Sequence, residues 1–550
     1  MGDVSRWAMV GLLGLGCGSD ATGNDSAGDF TGPTTAEPTA SGGSSDASVS
    51  STAPGTLTAD DSGTTHGALF DVGVGDSGTD SGPPPNLCKV DDGEISGAGP
   101  CEEVAPPDSF APEVQWAFTG PNGLVACMTS PLVANLTDDN GDGAIDLCDI
   151  PDVITVIGNQ GESGPGTIVS IAGDTGMLQT MFGQGAQLGV TPALGDIDGD
   201  GLVEIVTAQV GGQLVAYEHD GSPKWTSTGV WASSQTGAIA LADLDNDGDV
   251  EIIAGSNVFD HTGATIFTAP FDGLYSASTA ADLDGDGDLE AIFGHAAYHH
   301  DGTEYYVRGD LQAQVTAITA YPQVANLDAD PQPEVLVASE LGIWMLEHDG
   351  AVKWSNFAPT GESGDWNRPV NVHDFDGDDE PEFAISSYQH YGVYDADQAP
   401  VFVANVVDFS GQAGGTAFDF LGSGIAQAIY ADESTSWVFD IDGGVLMSTP
   451  RSSGTWTEYP TVADIDNDGS AEILVGSDGV GSPTLQAIRD AEDRWIPARR
   501  IWNQHTYHVT NVREDGTIPQ FEPPNWETLN TFRTQAQIAP GGGVCKPPAG

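Results

Sequence analysis

Positive charge is scarce in this sequence. It has 14 lysine and arginine residues against 82 aspartate and glutamate residues, and its formal net charge is −68. Such a chain repels nucleic acid and anionic lipid surfaces, and it attracts cations. An excess of acids is also typical of disordered proteins. However, 39% of the residues are hydrophobic and 12 are tryptophan, which indicates a packed core over much of the chain.

Long hydrophobic segments are missing as well. The N-terminal apolar run from Trp7 to Leu15 follows Arg6 and is too short to span a bilayer, but it suits a signal peptide. Cys17 comes next, as in a bacterial lipobox. We predict a signal peptide at 1–17 with lipidation at Cys17. The protein would then be an outer-membrane or cell-surface lipoprotein of a Gram-negative bacterium, attached to the membrane only through its lipid. A secreted protein with an incidental cysteine is the alternative.

Residues 18–86 contain no lysine or arginine at all. The stretch consists mainly of Gly, Ser, Thr, Asp, Ala and Pro, so it cannot bury enough apolar surface to offset its ordering entropy. We predict a disordered linker at 18–86 and a cysteine-containing lead-in at 87–111.

Cysteine is also infrequent. Five cysteines follow Cys17, so an exported protein forms at most two disulfides among them and leaves one thiol. Cys127 and Cys148 flank one acidic loop, and a bridge between them is one of the pairings that the sequence leaves open. The pairing of Cys88, Cys101 and Cys545 stays open.

A sustained helical period is absent, whereas an acidic loop recurs. Its copies begin at residues 138, 196, 243, 282, 326, 374, 419 and 464, about 47 residues apart. An apolar segment precedes each loop, a β-branched run such as EIVTA follows it, and two short segments joined by a turn complete the unit. Four short strands in a repeat of about 40–50 residues are typical of a β-propeller blade. We predict an all-β propeller over 112–495, with eight blades, or seven if one unit is not a blade.

Tryptophan offers a way to close the ring. The segment around Trp116, EVQWAF, resembles the outermost strand of the repeat units, on which Trp225 and Trp354 lie. Trp116 therefore could complete the last blade, and Trp495 competes for the same place.

The acidic loop has the pattern Asp-x-Asp-x-Asp-Gly-x-x-Glu. Side chains at positions 1, 3, 5 and 9 can surround one cation, and glycine at position 6 allows the sharp bend. A flexible cage of hard oxygen ligands favours Ca²⁺ over Mg²⁺. An EF-hand needs an acid at position 12, whereas the loop at 196 has Thr207 there. A solvated acidic turn is the simpler alternative for any single loop, but not for seven loops at one period.

We predict up to about seven structural Ca²⁺ ions. The predicted ligands are Asp138, Asn140, Asp142, Asp146, Asp196, Asp198, Asp200, Glu204, Asp243, Asp245, Asp247, Glu251, Asp282, Asp284, Asp286, Glu290, Asn326, Asp328, Asp330, Glu334, Asp374, Asp376, Asp378, Glu382, Asp464, Asp466, Asp468 and Glu472. The loop at 419 keeps Asp419 but then offers Leu421, Ser423 and Gln427, so we predict that it binds no metal.

A loop of this kind followed by a strand, at this period, resembles the FG-GAP/VCBS-type repeats of integrin α-chain propellers and of many bacterial surface proteins. The resemblance covers roughly residues 112–495. It implies a Ca²⁺-stabilised propeller with the metal loops on one face. Members of the family mostly serve adhesion and binding, and some carry enzyme active sites, including eight-bladed propellers similar to rhamnogalacturonan lyases.

The C-terminal segment, 496–550, differs from the repeats. Half of the basic residues lie from Arg489 onward. We predict either a cap that pairs Arg499 and Arg500 with acids of the propeller, or a ligand pocket. The pocket residues would be Arg500, Asn503, His505, Tyr507 and His508, and this is the one place where catalysis would be sought.

No nucleophile or acid–base constellation accompanies the metal loops. We predict a non-catalytic, calcium-binding surface propeller that binds an extracellular protein or glycan in adhesion or recognition. The alternative is a polysaccharide-active enzyme of the lyase type, in which Ca²⁺ neutralises a uronate and a basic residue abstracts a proton.

Overall fold

The computed structural model describes residues 88–90, 94–95, 99–159, 164–231, 236–271, 277–312, 321–339, 341–360, 368–409, 413–479, 481–540 and 542–550. All of them belong to one unit, Val72–Gly550. The predicted signal peptide, Cys17 and the linker at 18–86 lie outside the described residues. In the described part of the chain, no helix is both long and apolar enough to cross a membrane.

The strands form eight sheets of four or five strands, which are the blades of a propeller. The first strand is β1 (Pro112–Phe118). Blade 1 contains β2 (Ala126–Cys127), β3 (Leu132–Ala134), β4 (Asp152–Gly158), β5 (Pro165–Ala172) and β6 (Leu178–Gln187). The strand β7 (Gly189–Thr191) later pairs in parallel with blade 3. Blade 2 contains β8 (Ala193–Gly195), β9 (Glu204–Ala208), β10 (Leu214–Tyr217) and β11 (Pro223–Thr226). Blade 3 contains β12 (Thr236–Ala242), β13 (Glu251–Ala254), β14 (Asn257–Phe259) and β15 (Thr265–Thr268).

The same four-strand order continues around the ring. Blade 4 contains β16 (Thr279–Ala281), β17 (Glu290–Ile292), β18 (Ala296–Tyr298) and β19 (Glu304–Val307). Blade 5 contains β20 (Tyr321–Ala325), β21 (Glu334–Ser339), β22 (Gly342–Glu347) and β23 (Val352–Phe357). Blade 6 contains β24 (Asn371–His373), β25 (Glu382–Ser386), β26 (His390–Tyr394) and β27 (Pro400–Asn405). Blade 7 contains β28 (Gly415–Phe418), β29 (Gln427–Ala431), β30 (Thr435–Phe439) and β31 (Val445–Pro450). Blade 8 contains β32 (Thr461–Ala463), β33 (Glu472–Gly476) and β34 (Leu485–Asp490). The short helices are α1 (Gly309–Gln312) and α2 (Asn525–Thr528), with 3₁₀ turns at Pro121–Gly123 and Val509–Asn511.

The burial of the strands follows their place in a blade. Every residue of the strand after each acidic loop is buried, as in β9 and β33. Outer strands such as β11 and β15 are largely exposed. Inner strands are covered on both faces by neighbouring blades, so their sequences are continuous apolar runs rather than alternating ones. The prediction of an eight-bladed propeller is confirmed.

The N-terminal strand closes the ring. β1 pairs antiparallel with β34 and becomes the outer strand of blade 8, with Trp116 opposite Ala487. The Trp116 indole N–H donates to the Gly173 carbonyl of blade 1 at 2.6 Å, so this side chain joins the last blade to the first. Trp495 lies outside the strands and packs against Phe420, so Trp116 and not Trp495 completes the blade.

Neighbouring blades are held in register by an aromatic contact. The outer-strand aromatic residue of one blade packs over the tight turn of the next, where a left-handed glycine leaves room for the ring. A Cβ on Gly263, whose φ is +81°, would lie 2.7 Å from Cε3 of Trp225. The same contact occurs between Phe182 and Gly221, Phe267 and Gly302, Tyr306 and Gly350, Phe402 and Gly443, and Trp116 and Gly176.

We expect Gly263→Ala to lower the free energy of unfolding by about 2–5 kcal/mol, because it adds a clash with Trp225 to the cost of a left-handed alanine. Gly123→Ala is the matched control, because Gly123 has φ +85° and nothing within 4 Å of an added Cβ. The control should lose about 1–2 kcal/mol from the backbone alone. Thermal or denaturant unfolding of both variants measures the difference, and equal losses would contradict the role of the aromatic contact.

The C-terminal segment runs through the middle of the ring. It contacts the innermost strand, or the residue just before it, in all eight blades. The contacts join Trp502 to Val133, Asn503 to Leu194, Gln504 to Leu241, Thr506 to Ser278, His505 to Tyr321, Phe532 to Val372, Arg533 to Thr416 and Gln535 to Val462. The segment therefore fills the axial channel and links every blade.

Two disulfides tie the lead-in to the propeller and to its tail. Cys88 pairs with Cys148, and Cys101 pairs with Cys545 across 444 residues of sequence. Cys127 is a free cysteine and does not pair with Cys148, because it lies on β2 with its thiol directed at Thr155 inside the blade. Burial raises the pKa of Cys127 to about 11.

Candidate metal centres

All eight acidic loops occupy the same place in their blades. Each connects the innermost strand to the second strand, as the loop from Asp196 to Glu204 connects β8 to β9. Because the blades share one strand order, the loops all lie on one face of the ring. Sequence spacing alone located these loops correctly.

The backbone of each loop orients its carboxylates. In the loop at 282, Asp282 accepts the Gly285 N–H at 2.7 Å and the Gly287 N–H at 3.1 Å. Glu290 accepts the Leu283 N–H at 2.8 Å through Oε2, and its Oε1 lies 2.9 Å from Nδ1 of His299. In blades 2 to 8 the side chain at position 9 accepts the N–H of position 2 in this way; the pairs are Glu204–Ile197, Glu251–Leu244, Glu290–Leu283, Glu334–Leu327, Glu382–Phe375, Gln427–Phe420 and Glu472–Ile465.

The carboxylates of a loop lie close together, and some of their oxygens receive no hydrogen bond. One oxygen each from Asp243, Asp245 and Glu251 lie within 4.8 Å of one another. The second oxygens of Asp243, Asp464 and Glu472 are buried and accept no hydrogen bond. A buried carboxylate without a partner costs free energy, so it must gain a proton or a cation. Burial accordingly raises the pKa of Glu251 to about 8 and of Glu382 to about 9, and raises that of Glu472 strongly. These clustered hard oxygens fit Ca²⁺ in ligand type.

Two loops already hold a cation. In blade 2, Nζ of Lys224 lies 2.6 Å from Asp198, 3.1 Å from Glu204 and 3.2 Å from Glu218. In blade 5, Nζ of Lys353 lies 2.6 Å from Glu334 and 3.4 Å from Glu347, and it also contacts Asp328. Sequence reasoning missed both lysines, because each follows its ninth-position glutamate by about twenty residues.

The first loop differs from the others. The second strand of blade 1 begins with Asp152, and this buried carboxylate accepts the Leu136 N–H at 2.9 Å, as the ninth-position side chain does elsewhere. Asp146, the predicted ligand, is only half-buried and accepts the Cys148 N–H. Asp149 is buried and accepts the N–H groups of Asp139 and Asn140.

Asp149 stands at position 12 counted from Asp138, where an EF-hand loop carries its last ligand. The EF-hand-like spacing between Asp138 and Asp149 is the sequence signal that could have identified Asp149 as a residue of this loop.

The loop at 419 carries a glutamine instead of a glutamate at its ninth position. Gln427 accepts the Phe420 N–H and donates its own amide to the Ile425 carbonyl at 3.0 Å. Asp419 accepts the Gly424 N–H. A side chain with an amide in place of a carboxylate adds no negative charge here, and the absence of metal from this blade stays a prediction.

Of the predicted C-terminal pocket residues, Asn503, His505, Tyr507 and His508 are buried and Arg500 is half-buried. Asn503, His505 and Tyr507 are at most 1% exposed, so they line no surface open to a polymer substrate. His508 contacts Glu522 at 2.6 Å. Arg500 pairs with Glu514 of the same segment at 2.9 Å, and Arg499 pairs with Glu94 of the lead-in at 2.9 Å. The cap hypothesis expected both arginines to pair with acids of the propeller blades. Among the described residues, neither arginine does so.

The FG-GAP-like repeat family model matches residues 196–254, from the metal loop of blade 2 to the second strand of blade 3. The protein is an eight-bladed propeller that carries an FG-GAP-like repeat. No curated protein matches this FG-GAP propeller.

Solved structures resemble the FG-GAP propeller in fold. The V. cholerae biofilm matrix protein Bap1 is 22% identical with a TM-score of 0.67, over 81% of this chain and all of that one. A Bacillus licheniformis rhamnogalacturonan lyase is 17% identical with a TM-score of 0.45, over 80% of this chain and 82% of that one. At 22% identity the similarity to Bap1 shows the fold alone.

Proposed function

We propose that this protein is an extracellular, calcium-binding propeller that acts in adhesion or recognition and is not an enzyme. The observation that carries the proposal is the set of buried, unpartnered carboxylate oxygens in loops that all lie on one face. Calcium would satisfy these oxygens and stiffen the face that carries them. At the millimolar calcium of extracellular fluid, modules with dissociation constants of about 10⁻⁴–10⁻³ M are loaded.

The loop face offers a place for a ligand. Between the loops of blades 5 and 6 lies a cleft of about 650 Å³, lined by Asp328, Asp376, Asp378, Asp395 and Asn530 among others. Calcium held in such a cleft has coordination positions for the hydroxyl or carboxylate oxygens of a glycan or protein. We infer that the ligand is an extracellular glycan or protein recognised through this face.

An array of glycans and extracellular proteins, probed with the full chain in millimolar calcium, tests the binding proposal. We expect retention on one class of ligand that is lost in chelator and restored by calcium. Asp376→Asn combined with Asp378→Asn should weaken retention, whereas Asp515→Asn, at an exposed turn of the tail, should not. Binding that is indifferent to chelator would contradict a role for calcium in recognition.

We further propose that the protein is anchored through lipid on Cys17. The two disulfides fit an oxidising, extracytoplasmic compartment. Cells fed a labelled fatty acid should incorporate the label into the wild-type chain and not into Cys17→Ser, and the variant should appear in the medium or the periplasm. An unlabelled wild-type chain would favour a secreted protein instead.

A further inference from the structure

Every blade carries a β-bulge in its outer pair of strands, and in blades 2, 5 and 8 the bulge side chain contacts a carboxylate of the acidic loop. In blade 2, Ala216 pairs with Trp225 and Tyr217 pairs with Pro223, so Lys224 is skipped. The skipped residues are Gln179, Lys224, Ile266, Tyr305, Lys353, Val401, Leu446 and Gln115 in blades 1 to 8. One position of the sequence repeat therefore lies at the bulge of every blade.

Contacts of the polar bulge residues show that this position reaches the loop. Lys224 and Lys353 each contact three carboxylates, as described above. In blade 8, Gln115 donates to Asp466 at 2.7 Å. In blade 1, Gln179 accepts from Ser170, which also contacts Asp152. The bulge side chain is thus a recurring neighbour of the loop oxygens.

The carboxylates respond to what stands at the bulge. In blades 2 and 5, the free oxygens of Glu204 and Glu334 contact the lysine ammonium. In blade 8, where the bulge residue is a neutral glutamine, the corresponding oxygen of Glu472 has no partner. Among the described residues, no lysine, arginine or histidine lies within ion-pair distance of the predicted ligands in blades 3, 6 and 8. Glu204 and Glu334, whose loops contain a lysine ammonium, have a partner for the free oxygen, whereas Glu472, whose loop contains none, does not.

We propose that the bulge residue decides whether blades 2, 3, 5, 6 and 8 bind calcium. Lys224 and Lys353 supply the cation internally, so blades 2 and 5 are independent of calcium, whereas blades 3, 6 and 8 require the ion. This inference rests on the proposed calcium binding and reduces the number of ions from the seven that the loop sequences predict. The loops of blades 2 and 5 are then stabilised at any calcium concentration, whereas those of blades 3, 6 and 8 are stabilised only when calcium is bound.

The test exchanges the bulge residues in both directions. Lys224→Met removes the ammonium from a loop with four carboxylates, and we expect it to bind one more Ca²⁺ per chain than the wild type. Ile266→Lys places an ammonium beside Asp243 and Glu251, and we expect it to bind one fewer. Ile266 is 43% exposed, so this second variant can accept a long polar side chain without disturbing the core. Lys546→Met, at an exposed lysine that contacts Asp379 outside the ligand positions, should leave the count unchanged.

Equilibrium dialysis with radioactive calcium gives the number of ions per chain, and melting curves with chelator or calcium give a second measurement. In chelator, Lys224→Met should melt below the wild type, and calcium should restore it. An unchanged count in folded Ile266→Lys, or no restoration of Lys224→Met by calcium, would overturn the proposal. A wild type that binds no calcium while Lys224→Met is rescued by it would overturn the proposed calcium function but support the exchange between lysine and metal. If neither protein responds to calcium, both proposals fail.

Discussion

Removal of calcium is expected to lower the melting temperature of this protein by about 5–10 °C. Calcium at ten to a hundred times its dissociation constant stabilises the folded state by about 1.4–2.7 kcal/mol per site. Blades 3, 6 and 8 supply three such sites, and the unfolding entropy of a chain of this size is about 1 kcal/mol per degree. Differential scanning calorimetry in calcium and in chelator measures the shift.

A conservative substitution in one blade can apportion that shift. Glu472→Gln keeps the acceptor for the Ile465 N–H but removes a charge, and Gln427 is the natural precedent at the same position of blade 7. We expect the variant to lose roughly one third of the calcium-dependent stabilisation. Glu492→Gln, whose side chain is 73% exposed, should keep all of it. A melting temperature that does not depend on calcium would contradict the whole set of metal sites.

The second large effect is expected from the axial segment. Arg499 is fully buried; it contacts Glu94 at 2.9 Å, the Tyr507 hydroxyl at 2.9 Å and the Val512 carbonyl at 2.6 Å. Arg499→Met would leave the Glu94 carboxylate buried without a charge partner. We expect a loss of about 3–5 kcal/mol in the free energy of unfolding.

Arg489→Met is the control for this prediction. Arg489 pairs with Glu113 at 3.1 Å on the surface of the ring-closing pair of strands, and its side chain is 29% exposed. An exposed ion pair contributes at most about 1 kcal/mol. Denaturant unfolding of the two variants should separate them clearly. Similar losses in both would show that the link between the lead-in and the axial segment contributes little to stability.

The repeat made the fold predictable. Eight loops at one period set the blade number, and the residues after each loop form its second strand because their apolar runs are buried on both faces. The ring closure through Trp116 was one of two alternatives, and only the pairing of β1 with β34 decides between them.

The candidate sites were predictable only in part. The residues that carry the loop oxygens repeat in the sequence. Lys224 and Lys353 reach these oxygens from a different strand, at a β-bulge that no sequence pattern predicts. Asp152 takes the ninth-position role in blade 1 after an insertion that spacing from Asp138 conceals. Cys148 bonds Cys88 rather than the nearer Cys127, because strand pairing turns the Cys127 side chain into the blade.

The route by which the ring closes has a consequence for the order of folding. β1 is the first of the described strands to leave the ribosome, but its partner β34 lies more than 360 residues later, and Cys101 finds Cys545 later still. Contacts of such long range form slowly, since the entropy of closing the loop must be overcome before they stabilise anything. Blades 1 to 7 can assemble as they emerge, but the eighth waits for the last part of the chain. A protein truncated before Leu485 would expose β1 and β33 as unpaired edges and would be prone to aggregation.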